Sequence, residues 1–427
     1  MRVLVLSNFY PPDVMGGYEV ACAQATDGLL ARGHDVRVLS ATPRQPVVGD
    51  PPHVRRRFVL AEEWNENVMG DLAITHLLTH AASRFVSAHN IHVLSAELAE
   101  FDPEVVYLHN LVGLGGLGLV ACLGHLGVPW VWQLGDAVPV RLCASRTSGV
   151  IRPLAAEMSR WMRGHVIAVS DHVRREVEAF GVPILGPVER VPYWIVGRRP
   201  RPRRNFYQGG TLRVVSAGQI NSDKGVDILI EAAALLHASG AGPFEVDVYG
   251  KVLDPYYPAR VRALGLDGVV KFRGPRPNAE LLELYEDYDL LVFPTQPREP
   301  FGLVALEAAA RGCVPLMTRD CGVAEWLVHG VHCLKAERSA PAFARAMREV
   351  IEGRVSLGPI GRRASAAAWD DFHLDAVLPR IERVLHAAAA SAEGRPSPDP
   401  RLAAEVVRLG RLAETLTRRL VEESVPA

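Results

Sequence analysis

Lysine is nearly missing from this chain. Only Lys224, Lys251, Lys271 and Lys335 are lysines among 47 basic residues; the rest are arginines. The bias reads as coding background, and it makes each lysine worth locating. Net charge is missing too. The 47 Lys+Arg balance 48 Asp+Glu to a formal −1, so the chain has no clustered positive field of the kind that nucleic acid or an anionic membrane selects. Cysteine is scarce. Cys22, Cys122, Cys143, Cys313, Cys321 and Cys333 form no CxxC pair. A disulfide scaffold is thereby excluded, and buried thiols in a reducing cytoplasm are expected.

Uninterrupted apolar runs of membrane-spanning length are absent as well. The N-terminal run of residues 1–12 is too short for a signal peptide and has no small-residue cleavage site, so it reads as a buried strand. The uncharged stretch 111–132 is broken by Gly113, Gly115, Gly116, Gly118, Gly124, Gly127 and Pro129. That pattern suits a glycine-rich loop, a short helix and a strand opening near Trp130. A cytoplasmic protein without nucleic-acid contact is expected, with peripheral membrane contact left open.

What is present is globular: 427 residues, 48% hydrophobic and 22% charged, long enough for two domains. A strand-like run at 3–6, a helical pattern at 19–31 ended by Gly33, and a second strand at 36–39 make a βαβ unit, the building block of parallel sheets. Further strands are expected at 105–108, 130–133 and 166–169. Between Pro192 and Gly210, Arg198, Arg199, Arg201, Arg203 and Arg204 alternate with prolines, which reads as a solvated interdomain linker. A second alternating pattern follows, with strands at 213–216, 245–249, 269–272, 290–293 and 314–317 and helices at 226–236 and 278–286. The fold class is α/β, with two Rossmann-like doubly wound domains facing a central cleft. We place them at 1–205 and 206–365, followed by a helix crossing back to the first domain (366–390) and a Pro-rich spacer and tail (391–427). In the tail, Leu402, Val406, Leu409, Ala413, Leu416 and Leu420 form a heptad-like stripe. It suits either a helix packed on its own domain or, equally, a homodimer helix over 402–420.

Three segments carry chemistry. In Arg298-Glu-Pro-Phe-Gly-Leu-Val-Ala-Leu-Glu307, Pro300 is expected near a helix start, leaving the amides of Phe301, Gly302 and Leu303 as first-turn donors for a phosphate. Glu299 and Glu307 would then stand roughly 12 Å apart at the helical rise. They are too far apart to share a metal or a proton, and suit the two ends of an elongated ligand such as a nucleotide sugar. In isolation the pair reads as two surface glutamates. Gly218-Gln-Ile-Asn-Ser-Asp-Lys-Gly225 follows a strand and precedes a helix. Its glycines permit close backbone approach, and Lys224 brings a point charge for phosphate. Tyr10-Pro-Pro-Asp-Val-Met-Gly-Gly-Tyr18 places Gly16 and Gly17 in the first strand-to-helix turn; it is not a GxGxxG, so no dinucleotide fingerprint is present.

Together these segments resemble the retaining glycosyltransferases of the two-domain GT-B fold, specifically glycosyltransferase family 4, over roughly 1–390. The resemblance implies that Glu299 binds donor-sugar hydroxyls and Glu307 the ribose. It implies that Gly16, Gly17, Phe301, Gly302 and Leu303 offer amides to the diphosphate, Lys224 stabilises the leaving group, and Gly274 lies in the loop that accepts the base. Trp369 and the following helix resemble the crossing segment. On the acceptor side stand Tyr18, His109 and Asp136, the last as the group that binds or deprotonates the acceptor.

Three positions depart from the family pattern. Gln219 stands where the family has an arginine, which removes one charge-assisted contact to the diphosphate; Arg298 and Lys251 are the candidate replacements. Gly135 precedes Asp136 where many members have a histidine, and Tyr193-Trp194 replaces an Asn-Gly. The implied activity is transfer of a sugar from a nucleoside-diphosphate sugar to a small-molecule acceptor, with retention and by same-face displacement. No metal and no other cofactor are expected. An epimerase or phosphorylase on the same fold, or a non-catalytic nucleotide-sugar-binding protein, are the alternatives.

Overall fold

A computed structural model describes residues 1–43, 49–60, 87–143, 162–182, 184–203, 205–252, 254–295 and 299–391. Arg298 and the 402–420 stripe lie outside these residues. The chain divides into two compact units. One comprises Met1–Val169, Val173–Val191 and Leu378 onward; the other comprises Ser170–His172 and Pro192–Val377.

The first unit is built on a seven-stranded sheet of β1 (Arg2–Ser7), β2 (Asp35–Ala41), β3 (Val54–Phe58), β4 (Val105–Leu108), β5 (Trp130–Leu134), β6 (His165–Ala168) and β7 (Val188–Arg190). The order is β3-β2-β1-β4-β5-β6-β7, and every pairing is parallel. Val3, Leu4, Val5 and Leu6 are fully buried. That is the expected state of a central parallel strand covered on both faces, and each such side chain contributes about 1.5–3 kcal/mol on burial. The helix Gly17–Ala31 connects β1 to β2, and Gly33 follows its last turn at φ +85°, the left-handed position that glycine takes after a helix.

The second unit carries β8 (Leu212–Ala217), β9 (Phe244–Tyr249), β10 (Val270–Gly274), β11 (Leu290–Phe293), β12 (Val314–Thr318) and β13 (Leu334–Ala336), in the order β10-β9-β8-β11-β12-β13. All its pairings are parallel too. Helices Val226–Ala238 and Ala340–Ile351 bring Leu229, Ile230, Leu236, Phe343, Met347 and Val350 into its core.

In each sheet the order reverses beside the first strand, between β1 and β4 and between β8 and β11. Such a switch point splays the loops that leave the two strands and opens a binding crevice at their carboxyl ends. The loops after β8 and β11 are those containing Lys224 and Glu299. The loop after β1 ends at Gly16, where the helix from Gly17 opens, and the loop after β4 contains His109.

Two expectations need correction. The helix expected to open at Pro300 begins at Leu303 and runs to Ala310, with Gly302 as its N-cap at φ +102°. A Cβ there would stand 2.7 Å from the Phe293 ring, so only glycine fits. The arginine-rich segment is also not solvated throughout. The Arg203 guanidinium is largely covered, reaches Asp289 at 3.0 Å and donates to the Tyr288 carbonyl. Farther up the chain, Tyr193 packs edge-on against Phe301, and Ile195 pairs with His373. These contacts tie 192–203 to the second unit.

Candidate functional site

The second unit's site begins with a short turn. Asn221 accepts the Lys224 amide on Oδ1 at 3.1 Å and so caps the 3₁₀ turn Ser222–Lys224. Gly225 then takes φ +69° and opens the helix Val226–Ala238. This geometry aims the Lys224 side chain at the loop after β11, where Lys224 Nζ lies 2.6 Å from Glu299 Oε2. Glu299 is 9% exposed; a carboxylate this covered requires a cation or donors against it. The cation and the acid expected at the two ends of a sugar diphosphate are thus side by side.

Glu299 precedes the helix in non-helical backbone, so the helical rise applies only from Leu303 to Glu307, about 6 Å. The Phe301, Gly302 and Leu303 amides stand at the helix mouth. Among the described residues no backbone acceptor is paired with them. Glu307 is half-buried. Burial pushes its carboxyl above the usual range, and Asn278, donating from Nδ2 at 3.1 Å, opposes that shift.

The floor of this edge is a row of glycines. Gly218 donates to the Tyr249 carbonyl at 3.0 Å, and Gly250 donates to Gly274 at 3.1 Å. All three glycines have positive φ: +137°, +149° and +74° for Gly218, Gly250 and Gly274. A Cβ on Gly250 would stand 1.8 Å from the Gly218 carbonyl oxygen. Gly250 escaped the sequence reading, although it directly follows a strand, as Gly218 does. Lys251 comes next. Its carbonyl accepts the Ile220 amide at 3.3 Å, which sets Lys251 beside the exposed Gln219, and its own side chain is exposed. Asn221 was also missed; its signal was an Asn three residues before Lys224, the capping interval.

In the first unit, the structure gathers Tyr18, His109 and Gly135-Asp136. The Tyr18 hydroxyl donates to the Gln133 carbonyl and accepts the Gly135 amide at 3.2 Å. Its ring meets His109 edge-on at 6.1 Å. His109 is 1% exposed, and among the described residues neither ring nitrogen has a hydrogen-bond partner. Burial pushes its pKa down to about 3, so the imidazole is neutral. Asp136 accepts the Ala137 amide at 2.7 Å and is paired with Arg141. The Gly16 amide donates to Glu19 Oε2 at 2.9 Å, and the Met15 amide reaches the same oxygen at 3.3 Å. Glu19 is buried, so at Gly16 a carboxylate occupies the place that an anion would take.

Two open parallel α/β sheets, the second with an acid and a lysine paired beside a helix start, make a doubly wound fold in two units. Residues 15–195 match the family model described as Glycosyltransferase Family 4, and residues 201–366 match the one described as Glycosyl transferases group 1. The chain is a glycosyltransferase and belongs to the GT-B enzymes of the family 4 type. It is 27% identical over 424 residues to a glycogen synthase of Mycobacterium tuberculosis, covering 94% of this chain and 98% of that one. Among solved structures it resembles the sucrose-phosphate synthase of Thermosynechococcus elongatus (TM-score 0.66, 18% identity, 91% and 99% of the two chains). It also resembles Anabaena HepE in complex with UDP and glucose (TM-score 0.62, 18% identity, 91% and 100%). Among the described residues no helix is long and apolar enough to cross a membrane.

Proposed function

We propose that the chain moves a sugar from a nucleoside-diphosphate sugar to a small-molecule acceptor with retention of configuration. The observation that carries this reading is the 2.6 Å pairing of Lys224 with Glu299 beside the Leu303–Ala310 helix mouth. In the proposed complex the diphosphate lies across the Phe301, Gly302 and Leu303 amides, which stabilise it through the positive end of the helix dipole. Glu299 accepts sugar hydroxyls, Glu307 the ribose hydroxyls, and Gly274 gives the base close backbone approach. Lys224 neutralises charge as the sugar–phosphate bond breaks. Lys251, set beside Gln219 by the Ile220 hydrogen bond, supplies the second cation; Arg298, outside the described residues, is the other candidate for that role.

Positive charge placed before the reaction where negative charge develops is the largest single catalytic term in sites of this kind. Lys224 and the helix-mouth amides supply it from the chain itself, and the reaction is accordingly proposed to run without a metal. The acceptor's proton passes to the departing phosphate oxygen on the same face. In the first unit, Asp136 is the group for the acceptor hydroxyl, with Tyr18 and the neutral His109 as its neighbours, and Gly17 offers an amide suited to a phosphate. The test is incubation with UDP-, ADP- and GDP-sugars and a panel of small alcohols, following nucleoside diphosphate release and the anomeric configuration of the product by NMR. A retained anomer supports the proposal. An inverted anomer, or epimerised donor without acceptor, defeats it.

A further inference from the structure

Thr295 lies directly beneath the Lys224–Glu299 pair and is 1% exposed. Its Oγ1 sits 3.1 Å from the Asp223 carbonyl oxygen and 3.4 Å from Glu299 Oε2, the same oxygen that Lys224 holds. A hydroxyl has one proton and donates to one acceptor at a time. While Lys224 neutralises Glu299, the nearer Asp223 carbonyl takes that proton. The backbone around Thr295 is pinned. Arg338 donates from Nε to the Thr295 carbonyl at 2.8 Å, and its Nη2 reaches Asp320 at 2.6 Å. The Lys224 turn is seated so closely on the β11 loop that a Cβ on Gly225 would stand 1.9 Å from the Pro294 carbonyl oxygen. These contacts hold the Thr295 carbonyl and the turn at Gly225.

A diphosphate competes with Glu299 for the Lys224 ammonium, whose three N–H donors are divided between them. As Lys224 shifts toward the phosphate, a carboxylate that is 9% exposed loses part of its compensation, at the cost of an under-satisfied buried acceptor. We propose that Thr295 is a positioning residue: its hydroxyl turns from the Asp223 carbonyl to Glu299 Oε2 as Lys224 moves to the diphosphate, holding Glu299 in place until sugar hydroxyls reach it. Only the O–H bond has to rotate, because the oxygen already stands near both acceptors. This inference rests on the nucleotide-sugar reading above.

The two ligand forms separate the roles. A nucleoside diphosphate draws Lys224 away and brings nothing to Glu299, whereas a nucleotide sugar brings hydroxyls. The experiment is calorimetric titration of wild type, Thr295→Val and Thr295→Ser with whichever of UDP, ADP and GDP binds the wild type best, and with its glucose ester. Thr295→Val is expected to weaken the nucleoside diphosphate about tenfold and the glucose ester by less than about threefold, while Thr295→Ser restores wild-type values for both. Equal loss for both ligands, or no loss for either, overturns the role. If Thr295→Val melts below the wild type, Thr295→Ala carries the same comparison. A wild type that binds none of these ligands removes the nucleotide-sugar reading itself, and this inference with it.

Discussion

Glu299 and Glu307 share a residue type but not an environment, and their substitutions are expected to differ. Glu299→Gln keeps the shape and the hydrogen bonding but takes the charge from beside Lys224. It is expected to retain nucleoside diphosphate binding within about threefold and to lose transfer by about tenfold to a hundredfold, since a charged contact is worth about 1.5–3 kcal/mol. Steady-state kinetics with parallel calorimetry checks this. Glu307→Ala removes the proposed ribose contact and the carboxylate that Asn278 donates to; its expected effect falls chiefly on donor affinity. His109 carries a pH prediction. Its folded pKa is about 3 against about 6.5 unfolded, so between these values the unfolded chain binds the extra proton. Stability therefore falls as pH drops below about 6.5, with a slope approaching about 1.4 kcal/mol per pH unit from this residue. His109→Asn should flatten that slope in urea unfolding measured from neutral to mildly acid pH. An unchanged slope would contradict the burial argument.

At the scale of elements, the glycines are not interchangeable. Gly250→Ala drives a Cβ into the Gly218 carbonyl, at a positive φ. It is expected to cost about 1–3 kcal/mol of stability and to weaken donor binding by displacing the 218–225 loop. Gly16→Ala, with nothing within 4 Å of the new Cβ, should fold and melt as the wild type does; thermal unfolding of the two variants decides.

Central elements were legible in the sequence because burial on both faces leaves unbroken apolar runs. β4 and β11 have the bounds expected from Val105–Leu108 and Leu290–Phe293. The edges were not. β3 reads Val-Arg-Arg-Arg-Phe, β7 is Val188–Arg190 and β13 is Leu334–Ala336; short or charged strands of this kind are how sheets protect their borders, and they mimic loops in sequence. The helix start moved from Pro300 to Leu303 because Gly302 takes a left-handed conformation, which a motif does not reveal. Lys224 and Glu299, 75 residues apart, were placed on one edge by topology alone. Thr295 and Arg338 were invisible because their roles arise from packing, with no motif to mark them.

For the whole molecule, two parallel sheets with switch points at their first strands set the chemistry, and the family supplies its class. A positive site made by the chain itself predicts that a chelator leaves the transfer rate unchanged within about twofold. Loss of activity on chelation, restored by a divalent ion, would contradict that. The central claim is that Lys224 at this sheet edge receives a diphosphate. Calorimetric titration of UDP, ADP and GDP into the wild type and Lys224→Met tests it most directly. One of these nucleotides is expected to bind the wild type, and Lys224→Met to weaken that binding at least about tenfold. Equal affinity for both proteins would contradict it.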